Sequence, residues 1–282
     1  VEGDAQATKG DNAIQIAGFD QATYDVTESI GTVSLTNVTT SGAYHKPHLA
    51  VQGYTDLDGL SFSNVALSGA AEWGYLVFID PVGSSGTDTA GAGGYPGNFA
   101  GSATGIDSTD LTGLTVLNTS SNDPGFDTFV RGTDADATIT GTAADDALNA
   151  PAEGPTDFGG DDTIDAKGGD DVIFAGDGFD VIDGGADTDT YDASSQTDGV
   201  QVDLTKNDFD FFVAGTGQAV GGDIGINGLT GIENVIGGAD ADQIIADGAD
   251  NVLTGGGGND ELQGGAGTDT AAYEGDLAGG GF

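Results

Sequence analysis

Apolar residues recur at every ninth position along the second half of the chain. The steps of nine are broken only between 148 and 164 and between 191 and 235. The apolar positions are Ile139, Leu148, Ile164, Ile173, Ile182, Tyr191, Val235, Ile244, Leu253, Leu262 and Ala271. A short period of this kind predicts a solenoid, because one repeat cannot bury its apolar side alone and must stack on its neighbours.

An acidic residue stands two positions before most of these apolar residues. The acids are Asp146, Asp162, Asp171, Asp180, Asp189, Glu233, Asp242, Asp260 and Asp269. The exceptions are Ala137 and Asn251. Polar residues are therefore in phase with the apolar ones, which indicates that the carboxylates have a fixed place in each repeat.

One repeat predicts a short strand and a tight turn. Three residues centred on the apolar position form the strand, with the central side chain pointing inward. The remaining six must reverse the chain, which calls for positive φ and hence for Gly, Asn or Asp. Two repeats form a coil of 18 residues, and successive coils stack at about 4.8 Å. Such a thin coil buries too little apolar surface to offset its ordering entropy, so something else must hold the turns together.

Calcium ions fit this need. Ca²⁺ takes six to eight oxygen ligands from carboxylates and backbone carbonyls in flexible geometry. Turns on the same edge are two repeats apart, so acids 18 residues apart are expected to share ions: Asp162 with Asp180, Asp171 with Asp189, and Asp242 with Asp260. We predict weaker sites for Asp146 with Asp171, where residues 150–156 intervene, and for Asn251 with Asp269, because an amide carries no charge.

Residues 1–131 have no such repeat but are also predicted to be β-rich. Alternating runs such as residues 32–36 and 60–63 are typical of half-buried strands, and residues 73–79 of a buried one. The Gly-rich stretch 83–105 predicts a long loop. The pattern fits either a β-sandwich or an irregular β-solenoid. We therefore expect an all-β chain with four parts: a β-rich domain at 1–131, a first roll at 132–192, inserted strands at 193–231 (from the runs 200–204 and 209–213), and a second roll with a tail at 232–282.

The charge of the chain limits its partners. There are 47 acids against five bases, which gives a net charge of −42. Nucleic acid is excluded as a partner and anionic membranes are disfavoured, because both are recognised through Lys and Arg. Cysteine is absent, and no run approaches the roughly 18 apolar residues of a membrane span. The chain starts at Val1 without a visible signal peptide, so we expect a processed product or a piece of a longer protein.

No catalytic constellation stands out, and no catalytic or organic cofactor-binding residue is predicted. Residues 1–131 contain no H-E-x-x-H, and the chain has no G-x-S-x-G. His45 and His48 are read as surface residues, because no third ligand accompanies them. Trp73 and Tyr75 lie in an apolar run and are read as core. Candidate contacts to surface glycans are Tyr44, Tyr54 and Tyr95. The residue before each acid varies too much for an ice-binding ladder.

The repeats resemble a known family. Residues 255–263 (GGGGNDELQ), 264–269 (GGAGTD), 184–192 (GGADTDTYD) and 167–173 (KGGDDVI) are similar to the RTX nonapeptide G-G-x-G-x-D-x-U-x. The segment 229–237 is similar to one that often leads into such arrays. The resemblance covers about 132–275 with a gap, in eleven units, and none of residues 1–131.

The resemblance implies a parallel β-roll that folds on meeting extracellular calcium, after type I secretion from a Gram-negative bacterium. It implies several bound Ca²⁺ ions and, for the array itself, no enzymatic activity. We therefore expect a non-enzymatic extracellular or cell-surface protein such as an adhesin, S-layer or matrix subunit, with possible assembly into an oligomer or filament. The alternatives are the calcium-folding part of a secreted enzyme and a carbohydrate-binding module.

Overall fold

A computed structural model describes residues 13–17, 33–52, 60–71, 74–80, 108–119, 126–131, 136–150, 160–205, 217–221 and 224–272. All regular elements in these ranges are β-strands, numbered β1 to β24 in chain order. Neighbouring strands run parallel except in the pairs β17–β18 and β18–β19. The chain is therefore all-β, as predicted.

The largest sheet, which we call the long sheet, crosses almost the whole described chain. Its ten strands pair in chain order, each parallel to the next. They are β1 (Ile14–Ala17), β4 (Leu49–Gln52), β7 (Val77–Asp80), β10 (Thr128–Arg131), β12 (Asp146–Ala150), β14 (Val172–Phe174), β16 (Thr190–Asp192), β20 (Asn234–Ile236), β22 (Val252–Thr254) and β24 (Thr270–Ala272). Each three-residue strand from β14 onward is centred on a predicted apolar position.

A second sheet of nine strands, the facing sheet, supplies the other side of each coil. In spatial order its strands are β8 (Ser108–Asp110), β11 (Thr138–Thr140), β13 (Thr163–Asp165), β15 (Val181–Asp183), β19 (Gly225–Thr230), β18 (Gly217–Gly221), β17 (Val200–Asp203), β21 (Gln243–Ile245) and β23 (Glu261–Gln263). From β11 onward the two sheets alternate along the chain, which is the two-sided coil that the repeat predicts.

The first three coils have three strands each. β2 (Val33–Thr36) pairs with β5 (Leu60–Ser63), and β3 (Thr39–Tyr44) pairs with β6 (Val65–Ala71), which pairs with β9 (Leu114–Asn118). All these pairs are parallel, whereas a β-sandwich is built from antiparallel sheets. Of the two folds expected for residues 1–131, the structure shows the irregular solenoid.

One hydrophobic core runs through the coils from Ile14 to Leu253, and a second, smaller cluster that includes Tyr75 and Phe129 lies apart from it. The inward residues of the long sheet stack in register, for example Ile173 on Tyr191 and Tyr191 on Val235. The facing sheet contributes a matching column that includes Ile164 and Ile182. In the roll a strand buries one such side chain, worth about 1.5–3 kcal/mol. Ordering the nine residues of its repeat costs about 1–2 kcal/mol each, so burial alone does not stabilise the roll.

The insert between the two rolls is part of the facing sheet. Strand β17 lies within the predicted run 200–204, whereas the run 209–213 is outside the described residues. Strands β19, β18 and β17 form an antiparallel meander between β15 and β21. On the long sheet β16 pairs directly with β20, so the insert adds strands to one side only and the long sheet continues without a break.

The prediction that both histidines lie at the surface is wrong for His48. His45 is exposed, but His48 is fully buried at the start of β4. Its Nδ1 lies 2.8 Å from Thr40 Oγ1 and its Nε2 lies 3.3 Å from the Ala70 carbonyl oxygen. The imidazole therefore links the start of β4 to strands β3 and β6. This role depends on contacts between coils, which the spacing of the two histidines in the sequence does not reveal.

The structure describes two of the aromatic residues for which the sequence made a prediction. Tyr75 is buried among the rings of Phe78, Phe126 and Phe129, with centroids 5.7–5.9 Å apart, so it is core as predicted. Tyr44 is half-buried with its ring against His48. The predictions for Trp73, Tyr54, Tyr95 and the loop 83–105 fall outside the described residues.

Candidate metal centre

The acids of the repeat form two columns, one along each sheet. We call the residue two before each inward apolar residue the acid position. Along the long sheet the acid positions are Thr128, Asp146, Asp171, Asp189, Glu233, Asn251 and Asp269. Along the facing sheet they are Ala137, Asp162, Asp180 and Asn227, then Val200 in the meander strand β17, followed by Asp242 and Asp260.

Within each column the carboxylates hydrogen-bond to the backbone of the preceding coil. The backbone N–H of Asp171 donates to Asp189 Oδ1 over 2.9 Å, and that of Asp162 to Asp180 Oδ1 over 2.9 Å. Asp242 is joined in the same way to Asp260, at 3.0 Å. The structure thus places next to each other the three pairs for which shared ions were predicted.

The two pairs predicted to be weaker have the same contact. The N–H of Asp146 donates to Asp171 Oδ1 over 2.7 Å, and that of Asn251 to Asp269 Oδ1 over 3.1 Å. The intervening residues 151–159 therefore do not separate Asp146 from Asp171.

The second carboxylate oxygen has no hydrogen-bond donor in three of these turns. The Oδ2 atoms of Asp171, Asp180 and Asp189 are buried and accept no hydrogen bond. A buried oxygen of a charged group without a partner is costly, and such atoms require an explanation. In these turns a cation would supply the partner that a buried carboxylate oxygen requires.

Burial strongly affects the protonation of these groups. Desolvation, together with the neighbouring Asp146 carboxylate, raises the pKa of Asp171 to about 9. Desolvation also raises the pKa of Asp180 to about 8 and that of Asp162 to about 7. The pKa of Asp189 is raised to about 6, again mainly by burial. Without a cation, the fold disfavours the charged forms of these carboxylates.

Glycine at the start of the turn lets carbonyl oxygens approach the carboxylate. A Cβ added to Gly184 would lie 2.6 Å from Asp189 Oδ2 and would overlap the carbonyl oxygen of Gly231 in the next coil. Carboxylate and carbonyl oxygens therefore lie side by side, and this is the hard donor set that Ca²⁺ takes.

In the part of the chain that the structure describes, side chains alone do not form a metal-binding cluster at these turns. Within the described ranges no three His, Asp or Glu side chains converge on one point. An ion at these turns therefore depends on backbone carbonyls as well as on carboxylates. The same ranges contain no helix long and apolar enough to span a membrane.

Sequence reasoning missed Asn227. Its side chain is fully buried in β19, its Oδ1 accepts the N–H of Asp180 over 3.1 Å, and its Nδ2 donates to Tyr191 Oη over 3.0 Å. Asn227 thus occupies an acid position inside the insert. The available signal was an Asn two residues before the buried Leu229, but it is out of phase with the repeat.

A second ladder was also missed. The residue before the acid position often carries a carboxylate that accepts an N–H from the following coil. Asp145 accepts from Asp170 over 2.8 Å, and Asp170 accepts from Thr188 over 3.0 Å. In this outer ladder the carboxylate accepts from the following coil, whereas at the acid positions it accepts from the preceding coil. Two adjacent carboxylates of one turn are therefore hydrogen-bonded to the coils on both sides.

A parallel solenoid whose turns align carboxylates with carbonyl oxygens defines a calcium-binding β-roll. The chain matches the family model of the RTX calcium-binding nonapeptide repeat in four overlapping copies, at residues 157–191, 165–200, 227–262 and 236–271. These segments are RTX repeats, and RTX repeats bind multiple Ca²⁺ ions. No curated protein matches the chain.

Proposed function

We propose that the chain is a calcium-stabilised structural module of an extracellular protein, with ions held between successive coils along both columns of acid positions. The observation that carries this proposal is the set of buried Oδ2 atoms of Asp171, Asp180 and Asp189 without a donor. A divalent cation at each would offset the desolvation of the carboxylate and join it to turn carbonyls of the adjacent coil.

The ligands follow from the columns. Asp171, Asp180 and Asp189 supply the central carboxylates of the first roll, with Asp162 and Glu233 next to them in their columns. In the second roll the corresponding groups are Asp260, Asp269 and Asn251, whose amide oxygen is also buried without a donor. Asp146 and Asp242 lie in the same columns with a different hydrogen-bond environment.

The structural role is supported by the repeats and by the charge of the chain. RTX repeats are a structural calcium-binding module, and proteins that contain them are typically secreted. Calcium-dependent folding suits a chain that stays unfolded until it leaves the cell, and 47 acids against five bases make that dependence strong. We propose secretion from a Gram-negative bacterium and a non-enzymatic role at the cell surface or in a matrix, with self-association through the last described coil of the roll.

The first experiment compares circular dichroism and thermal melting of the whole chain in calcium and in chelator, near physiological salt. Calcium should increase the β-signal and raise the melting temperature, because it binds the folded state only. An unchanged spectrum and melting temperature would contradict the proposal.

A matched pair of double variants locates the ions. Asp171→Asn with Asp189→Asn should remove at least one bound ion in equilibrium dialysis, since both change a carboxylate at an acid position along the long sheet. Asp183→Asn with Asp187→Asn removes two negative charges from exposed positions of the same region and should leave the ion count unchanged. Equal losses in the two variants would show that bulk charge, and not the columns, binds calcium.

A further inference from the structure

The turn that carries Asp146 differs from the calcium turns because each oxygen of its carboxylate accepts a hydrogen bond from the protein. Asp146 is fully buried, and its Oδ2 accepts the Thr142 N–H over 2.6 Å. Its Oδ1 accepts the Thr142 hydroxyl over 3.0 Å. In Asp171, the next member of the column, Oδ2 has no donor at all.

In the coil before Asp146 the acid position carries no charge. Thr128 occupies the acid position there, paired with Asp146 across β10 and β12. A calcium ion at this point would have one carboxylate from the two acid positions, and each oxygen of that carboxylate already accepts a hydrogen bond from Thr142. The turn therefore lacks both the second carboxylate at the acid position and the donor-free oxygen that the Asp171 turn has.

Asp242, the first carboxylate after the meander, has the same environment. Its Oδ2 accepts the Gly238 N–H over 2.7 Å, and its Oδ1 accepts the Val200 N–H over 2.7 Å. Val200 occupies the preceding acid position and is apolar. Thus two independent turns, each following an acid position without a carboxylate, are closed by donors of their own turn or of the coil before it.

We propose that the turns of Asp146 and Asp242 close without calcium, and that the coil at 126–150 is a metal-independent template on which the calcium-dependent roll at 160–192 forms. This inference rests on the proposed calcium function of the roll. The template role follows from the pairing: β10 joins β7 of the three-sided solenoid on one side and β12 on the other. Fully buried Val130 and Leu148 belong to the same core as Ile173.

Calcium stoichiometry of the full chain tests the closed turns. Equilibrium dialysis with calcium should give the wild-type ion count for Asp146→Asn and for Asp242→Asn, whereas Asp171→Asn should lose at least one ion. Asparagine keeps an oxygen acceptor at each position, so the three substitutions are matched. Loss of an ion from Asp146→Asn or Asp242→Asn would overturn the inference while leaving the proposed function intact.

Hydrogen exchange of the wild-type chain tests the template without any variant. In chelator, amides of 126–150 should exchange at least about tenfold more slowly than those of 160–192, because closed and open turns then differ in local stability. In calcium both segments should be protected. Equal exchange of the two segments in chelator would overturn the inference. Full protection of 160–192 in chelator would instead contradict the proposed function.

Discussion

At the scale of single residues, the buried aspartates link folding to cations. A buried carboxylate must be neutralised by a proton, by hydrogen-bond donors or by a metal ion. Asp146 has donors from Thr142, whereas Asp171, Asp180 and Asp189 each leave one buried oxygen without a donor. In the absence of calcium the proton is therefore the only remaining partner for these three groups.

A dependence of stability on pH follows for the calcium-free chain. The folded-state pKa values of Asp171, Asp180 and Asp162 are raised to about 9, 8 and 7, far above the unfolded value of about 3.9. The folded state then binds more protons than the unfolded state, so stability is lost as the pH rises through these values. Between pH 8 and pH 6, the β-signal of the chelated chain should increase as the pH falls.

Circular dichroism in calcium-free buffer measures this change. Burial lowers the pKa of His48, which shifts the titration of its imidazole toward lower pH. The Asp171→Asn variant should show a smaller response, since asparagine has no proton to gain. A β-signal that falls between pH 8 and pH 6 would contradict the assignment.

Backbone strain gives a second prediction at this scale. Lys167 has a φ of +83° at a turn position where the equivalent residue one coil later is Gly185, with a φ of +104°. A left-handed conformation costs an L-residue about 1–2 kcal/mol, and the exposed ion pair of Lys167 with Asp165 contributes little. Lys167→Gly should therefore stabilise the calcium-bound chain by about 1 kcal/mol.

Thermal melting in saturating calcium checks this prediction. The matched control is Gly185→Ala, which should destabilise the chain because the added Cβ would lie 2.5 Å from the Lys167 carbonyl oxygen. A lower melting temperature for Lys167→Gly would show that the ion pair outweighs the strain.

At the scale of elements, the roll could be predicted and the first three coils could not. Apart from the two breaks in the period, each roll strand is centred on an apolar residue nine positions from the last, so strands such as Val181–Asp183 follow from period alone. Corresponding residues of the early long sheet, Ile14, Leu49, Val77 and Thr128, are instead 35, 28 and 51 positions apart (49 − 14, 77 − 49, 128 − 77). Unequal coils leave no period to detect, although the stacked strands are equivalent.

The details of the site also depended on the neighbouring coil. The sequence marked every carboxylate of the two columns, but not which of them has a donor. Thr142 donates to the Asp146 carboxylate within its own turn. Asn227 occupies an acid position in place of a carboxylate and donates to the Tyr191 hydroxyl. The spacing of residues in the sequence does not reveal either contact. Likewise, the sequence predicted added strands in the insert but not that they widen the facing sheet alone.

At the scale of the whole molecule, the last described coil of the solenoid is formed by β23 and β24. Strands β23 and β24 are the last of their sheets, and among the described residues no strand pairs with their outer edges. The core residues of this coil are less covered than those before it: Ala271 is exposed and Leu262 is half-buried, whereas Leu253 is buried. An uncovered strand edge next to apolar surface is a template for pairing with another chain.

We therefore predict that the calcium-saturated protein self-associates through this coil and that the chelated protein does not, because only calcium orders the last coils. Sedimentation velocity at increasing concentration measures it. Ala271→Arg places a charge on this coil and should yield a monomer with an unchanged β-signal. Gln263→Arg adds the same charge at an exposed position of β23, outside the inward column, and should associate like the wild type. A monomer at high concentration in calcium would rule out assembly through this coil.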